Sequence, residues 1–122
     1  MDELSGPEAI WRAALAEGRF LLQKSARDRI YVFPPRTMAP RSGSDDLEWV
    51  TAAGTGSVYS VTLISPKPPL EPYNVVLVAL DEGPRVMSRV ENMLLSDVKI
   101  GLRVTARIGE ENSVPILLFD PA

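Results

Sequence analysis

The chain has 122 residues, 45% of them hydrophobic and 24% charged, with a net charge of −3; that balance fits one globular domain with its own core and excludes a disordered chain. It has no cysteine and no histidine, which removes disulfides, thiolate nucleophiles, imidazole bases and the commonest zinc ligands. No apolar run approaches the roughly 20 residues that a membrane-spanning helix needs.

The first stretch, MDELSGPEAIWRAALAEG, is acidic and has no basic segment leading into an apolar run. No signal peptide is expected, and a cytoplasmic location follows. A helix is predicted to start near Pro7. Ser5 can cap it, Glu8 complements its dipole, and Ile10, Trp11, Ala14 and Leu15 share one side. Gly18 ends it. A helix this short is marginal alone, so the Trp11 face must pack, either on its own domain or on a partner subunit.

Residues 19–46 hold two short apolar runs, Phe20 to Leu22 and Ile30 to Phe33, and Pro34, Pro35 and Pro40 bar a helix. The segment is predicted to be hairpin and loop. Lys24, Arg27, Arg29, Arg36 and Arg41 face only Asp28, which puts 24–41 at +4 and leaves −7 for the remainder of the chain. A positive patch this local suits a small anionic ligand or an acidic partner surface better than a nucleic-acid duplex.

From Leu47 the pattern becomes that of strands. LEWVTAAG alternates, Gly54 and Gly56 mark a bend, and SVYSVTLIS follows. A proline-rich connection, PKPPLEPYN, leads to the apolar run NVVLVALD. A DEGP turn then opens PRVMSRVE, NMLLSDVKIG reads as a connecting segment, and GLRVTARIG and VPILLFD close the chain. The pattern predicts a mainly β protein with a five-stranded Greek-key barrel of the OB type. Trp49 and Tyr59 fall on strands expected to be adjacent, packed in the barrel core or lining its mouth.

FPPR at 33–36, the GTGSVYSVT bend and strand, the LDEGPR turn and the DVKIG step occur in an order and spacing that resembles the acyl-CoA-associated OB-fold proteins of domain-of-unknown-function family 35. The resemblance covers nearly the whole chain. It implies an N-terminal helix (1–18), a rubredoxin-like zinc-ribbon segment (19–46) and an OB-fold domain (47–122). In that family the ribbon has a Cys-x-x-Cys before FPPR and a Cys-Pro-x-Cys after it; here these positions carry Ser25, Asp28, Ala39 and Ser42. Four donors are needed for structural zinc, so a degenerate, metal-free ribbon is expected. Zinc can contribute on the order of 10 kcal/mol to such a module, and packing by Ile30, Tyr31, Val32 and Phe33 on the stiff proline turn is the expected replacement.

The resemblance further implies a non-catalytic accessory subunit whose partner, a thiolase or a MaoC-type hydratase, holds the catalytic groups. Arg27, Arg29, Arg36 and Arg41 become candidates for the phosphates of CoA or acyl-CoA, or for an acidic partner rim, since arginine forks grip such oxygens in pairs. Arg36, inside FPPR, is favoured among them. Trp11, Phe33, Trp49 and Tyr59 are candidates for contact with an acyl-pantetheine arm or the partner. No permanently bound cofactor is expected. The alternative reading is a single-stranded nucleic-acid-binding OB-fold, which stacks bases on aromatics in a positive groove. An independent carboxylate enzyme would need a paired acidic pocket that the sequence does not display.

Overall fold

The computed structural model describes residues 6–122. Helix α1 (Pro7–Ala16) starts on Gly6 with proline in its first turn and Glu8 at its positive end; Ser5, expected as its cap, lies outside the described residues. At the other end Gly18 adopts φ +85. There the Gly18 N–H donates to Leu15 O at 2.9 Å and the Arg19 N–H to Ala14 O at 2.9 Å. This is a Schellman ending, which requires the left-handed conformation that glycine tolerates. Ala14 and Leu15 are buried.

Strands β1 (Leu21–Ser25), β2 (Ile30–Val32) and β3 (Leu47–Thr51) form a three-stranded antiparallel sheet in the order β2-β1-β3. Strands β4 (Thr55–Ile64), β5 (Tyr73–Leu80), β6 (Arg85–Ser88), β7 (Arg103–Glu111) and β8 (Val114–Pro121) form a five-stranded sheet in the order β6-β5-β4-β7-β8, with a 3-10 turn at Leu95–Asp97 before β7. Its ends meet. Val90 bridges Phe119 in parallel, the Glu91 N–H donates to Phe119 O at 2.8 Å, and the Phe119 N–H donates to Arg89 O at 3.0 Å. The chain is thus a mainly β protein with a nearly closed five-stranded OB-type barrel. Among the described residues no helix is long and apolar enough to cross a membrane.

Alternation decides what the barrel encloses. Along β5, Asn74, Val76, Val78 and Leu80 are buried while Tyr73, Val75, Leu77 and Ala79 point outward, as a period of two requires. Val58, Val76, Val78, Val86, Val104 and Phe119 form the core with Phe20 and Leu22 of the ribbon sheet, so the two sheets share one apolar interior. At Gly56 an added Cβ would stand 2.5 Å from the Ala79 carbonyl oxygen. Only glycine permits that approach.

One pairing departs from expectation. β3 pairs with β1 over its whole length, Leu21 opposite Thr51 through Ser25 opposite Leu47, and so completes the ribbon sheet instead of opening the barrel. Trp49 and Tyr59 are therefore not on adjacent strands. The Ala52 N–H extends the pairing to Phe20 O at 3.0 Å, so hydrogen bonds cross the position where sequence composition shifts. The cause is physical: alternation fixes which residues share a face, but not which strand lies alongside.

Candidate functional site

The ribbon is built around oxygen at the four positions where the resemblance implies sulfur. Ser25, at the end of β1, is fully buried. Its hydroxyl donates to Asp46 Oδ1 at 2.8 Å and accepts the Asp28 N–H at 3.1 Å. The other Asp46 oxygen accepts the Arg27 N–H at 2.8 Å, and Ser44 Oγ donates to Oδ1 at 2.7 Å. Across the knuckle Ser42 Oγ donates to Asp28 Oδ2 at 2.6 Å. Ala39 is buried, its N–H bonded to Ser44 O and its carbonyl to the Gly43 N–H.

These four positions do not fit zinc. Two are hydroxyls already committed as donors, one is a carboxylate accepting a hydroxyl, and the fourth offers only a methyl group, whereas structural zinc takes four thiolate, imidazole or carboxylate donors. Among the described residues no three His, Cys, Asp or Glu side chains converge as a metal cluster. Val32 is buried and Tyr31 and Phe33 pack against the core, and beside that packing a hydrogen-bond network centred on Asp46 occupies the knuckle. Three donors hold Asp46 at a pKa of about 2, the Arg27 N–H first and then the Ser44 and Ser25 hydroxyls. Sequence reading missed Asp46, although a serine two residues before an aspartate in SGSDD is the composition of a side-chain-capped turn.

Two of the four ribbon arginines meet in a cleft. Arg29, Ile30, Tyr31 and Arg41 form one wall, and Glu82 and Pro84 of the LDEGPR turn between β5 and β6 form the other, enclosing about 460 Å³. A second hollow of about 380 Å³ shares Ile30 and Arg41 and adds Asp28 and Ser42. Arg27 and Arg36 do not line the first cleft. All four side chains are exposed, and none forms an ion pair within the described residues. Arg29 has φ +56, a conformation that costs a bulky L-residue roughly 1–2 kcal/mol. Its N–H donates to Ser25 O at 2.8 Å, which helps hold it there.

Arg36 is fixed differently. Gln23 is buried on β1, and its amide both accepts the Arg36 N–H and donates to Arg36 O, each at 2.7 Å. One side chain thus mimics a neighbouring strand and pins the main chain of the last FPPR residue. Glu82 was also missed. Its Oε2 accepts the Ala53 N–H at 2.7 Å, and its Oε1 is buried with no partner among the described residues.

The aromatic candidates separate. Trp11 turns inward: its indole N–H donates to Leu21 O at 2.9 Å, and its ring meets Phe33 edge-on at 5.5 Å. Both pack against the core. Trp49 lies opposite Gln23 in the ribbon sheet and is half-buried. Tyr59 is 48% exposed, with the Arg85 guanidinium 3.7 Å from its ring centre, because the register shifts between Val58 and Ser60 and a bulge turns it out of the core.

A degenerate ribbon packed on an OB-type barrel is one class of protein, and the comparisons give its family. The family model described as ChsH2, C-terminal OB-fold domain, matches residues 49–109. A DUF35 domain-containing scaffold protein of Pyrococcus furiosus is 30% identical over 95 residues, covering 72% of this chain and 70% of that one. A probable enoyl-CoA hydratase alpha subunit of Thermomonospora curvata is 36% identical over 99 residues, which are 79% of this chain but 31% of the relative. The chain therefore spans about a third of that relative's length. Among solved structures, the Ltp2-ChsH2(DUF35) aldolase superposes with a TM-score of 0.83 at 31% identity, over 99% of this chain and 98% of the other. The chain belongs to the DUF35 family of OB-fold proteins.

Proposed function

We propose that this chain is a non-catalytic accessory subunit of an acyl-CoA enzyme, of thiolase or hydratase type, and that its ribbon arginines bind the phosphates of the CoA thioester. The carrying observation is the cleft where Arg29 and Arg41 face the LDEGPR turn, its guanidiniums uncommitted to any carboxylate of the described residues. Guanidinium forks match phosphate oxygens, and a residue kept in a costly backbone conformation points to a use beyond packing. The chain itself has neither cysteine nor histidine, so the reacting groups belong to the partner. The relatives named as a hydratase subunit, a scaffold protein and an aldolase support the same class of partner.

Calorimetric titration with CoA and with CoA lacking its 3′-phosphate tests the phosphate reading. CoA binding that weakens at least tenfold in Arg29→Ala and Arg41→Ala, and weakens with salt, is expected. Mixing with purified Ltp2, followed by light scattering, tests the accessory role. Absence of both CoA binding and association with Ltp2 overturns the proposal.

A further inference from the structure

The barrel carries a second surface that the arginine cleft does not use. On β5, Tyr73, Val75 and Leu77 point outward, opposite Ile64, Thr62 and Ser60 of β4. On β6, Met87 stands opposite Leu77 and is 71% exposed. Tyr59 joins them through the bulge, and Leu70, exposed in the loop between β4 and β5, continues the apolar surface past the strand ends. The outward face of a barrel strand ordinarily alternates to polar residues. Here Tyr73, Val75 and Leu77 of β5 and Met87 of β6 form an apolar row that Tyr59 and Ile64 of β4 extend beside the polar Ser60 and Thr62, a pattern that marks an interaction site.

Charge decides what kind of partner fits. Of the four barrel arginines, Arg89 pairs with Glu91 and Glu111, Arg103 with Asp81, and Arg107 with Glu91 and Asp120. Arg85, on this face, has no carboxylate among the described residues and lies over Tyr59 instead. An OB barrel that binds single-stranded nucleic acid uses this side of its second and third strands, but with a positive groove along the backbone path. One arginine amid Val75, Leu77 and Met87 is not such a groove. It is complementary to a protein surface that is apolar at its centre and brings one carboxylate to Arg85.

The geometry points to the outer face of β4, β5 and β6 as the docking surface for the catalytic subunit, with Met87 and Leu77 at its centre and Arg85 pairing with a carboxylate of that subunit. This rests on the accessory-subunit reading, and the test separates the two. Purified Ltp2 is titrated into the wild-type chain and into Met87→Glu, Arg85→Glu and, as a comparison, Ile10→Glu on the exposed side of α1. All three positions are exposed, and thermal melting checks that each variant folds. The expected result is at least a tenfold loss of affinity for Met87→Glu and Arg85→Glu, none for Ile10→Glu, and CoA affinity unchanged in Met87→Glu and Ile10→Glu.

Wild-type affinity retained by both barrel variants, or lost only in Ile10→Glu, overturns this surface and leaves the accessory role standing. No binding of Ltp2 by the wild type overturns this surface, and only when CoA binding is also absent does the accessory reading fall with it. A wild-type dimer in light scattering that Met87→Glu converts to monomer assigns the face to a second copy, and oligothymidylate binding abolished by Arg85→Glu assigns it to nucleic acid; either result overturns the proposal.

Discussion

Two buried amides do the same job, one in each sheet. Gln23 clamps the main chain of Arg36, and Asn74 clamps that of Val90, donating to its carbonyl and accepting its N–H, each at 2.9 Å. Each supplies the one acceptor and one donor that an absent strand would have supplied, where an unpaired buried backbone group would be costly. Asn74→Leu is therefore expected to lower unfolding free energy by about 1–3 kcal/mol in denaturant titration. Gln23→Leu is expected to do the same, since it frees the main chain of Arg36. Arg29 predicts two opposed effects. Arg29→Gly removes the strain of its left-handed backbone and is expected to raise stability by up to about 1 kcal/mol while CoA affinity falls. Stability gained together with binding lost would mark a position held for function.

The elements place the cost of error differently. Adding a methyl group at Gly56 drives it into the Ala79 carbonyl, so Gly56→Ala is expected to destabilise the barrel by about 1–3 kcal/mol. Phe119→Ala, at the fully buried centre where the barrel closes, is expected to cost about 3–5 kcal/mol. For the ribbon the variable is pH. Asp46 has its folded pKa depressed from 3.8 to about 2, so the stability it contributes is complete above the unfolded value and drains away as pH falls from about 4 through 2. Amide exchange at Arg27 and Asp28 across that window is expected to speed up before the barrel amides respond; equal protection throughout would show that the network does not hold the knuckle. Asp120 is likewise held below the usual carboxylate range, by the Arg107 guanidinium first and Asn92 second, so acid also loosens the contact between β7 and β8.

At the scale of the whole molecule, much was legible before any coordinates. Gly18 and Pro7 bounded the helix, the apolar run of β5 marked a buried strand, alternation along β7 placed its barrel face, and the missing cysteines left the knuckle positions without zinc ligands. What escaped shares one cause. The pairing of β3 with β1, the role of Asp46 across 21 residues from Ser25, and the approach of Arg29 to Glu82 are contacts between segments distant in sequence. Local patterns carry periodicity and turn chemistry but not partner choice. Arg36 illustrates the divide: its motif drew attention, yet its structural distinction is the amide of Gln23, a strand residue whose burial no pattern announced. Tyr59 is a second case, since a strand aromatic in an alternating run reads as core until a bulge shifts the register.

The oxygen-built knuckle changes what the cell must provide for this fold. A thiolate ribbon depends on zinc being available and on its sulfurs staying reduced. Ser25, Asp28, Ser42, Ser44 and Asp46 form their network from the chain alone. Thermal melting in the presence of a strong chelator, or after peroxide treatment at doses that spare methionine, is accordingly expected to match the untreated protein. Scarcity of metal or a burst of oxidant would leave the ribbon standing, and with it the arginine wall that the ribbon carries.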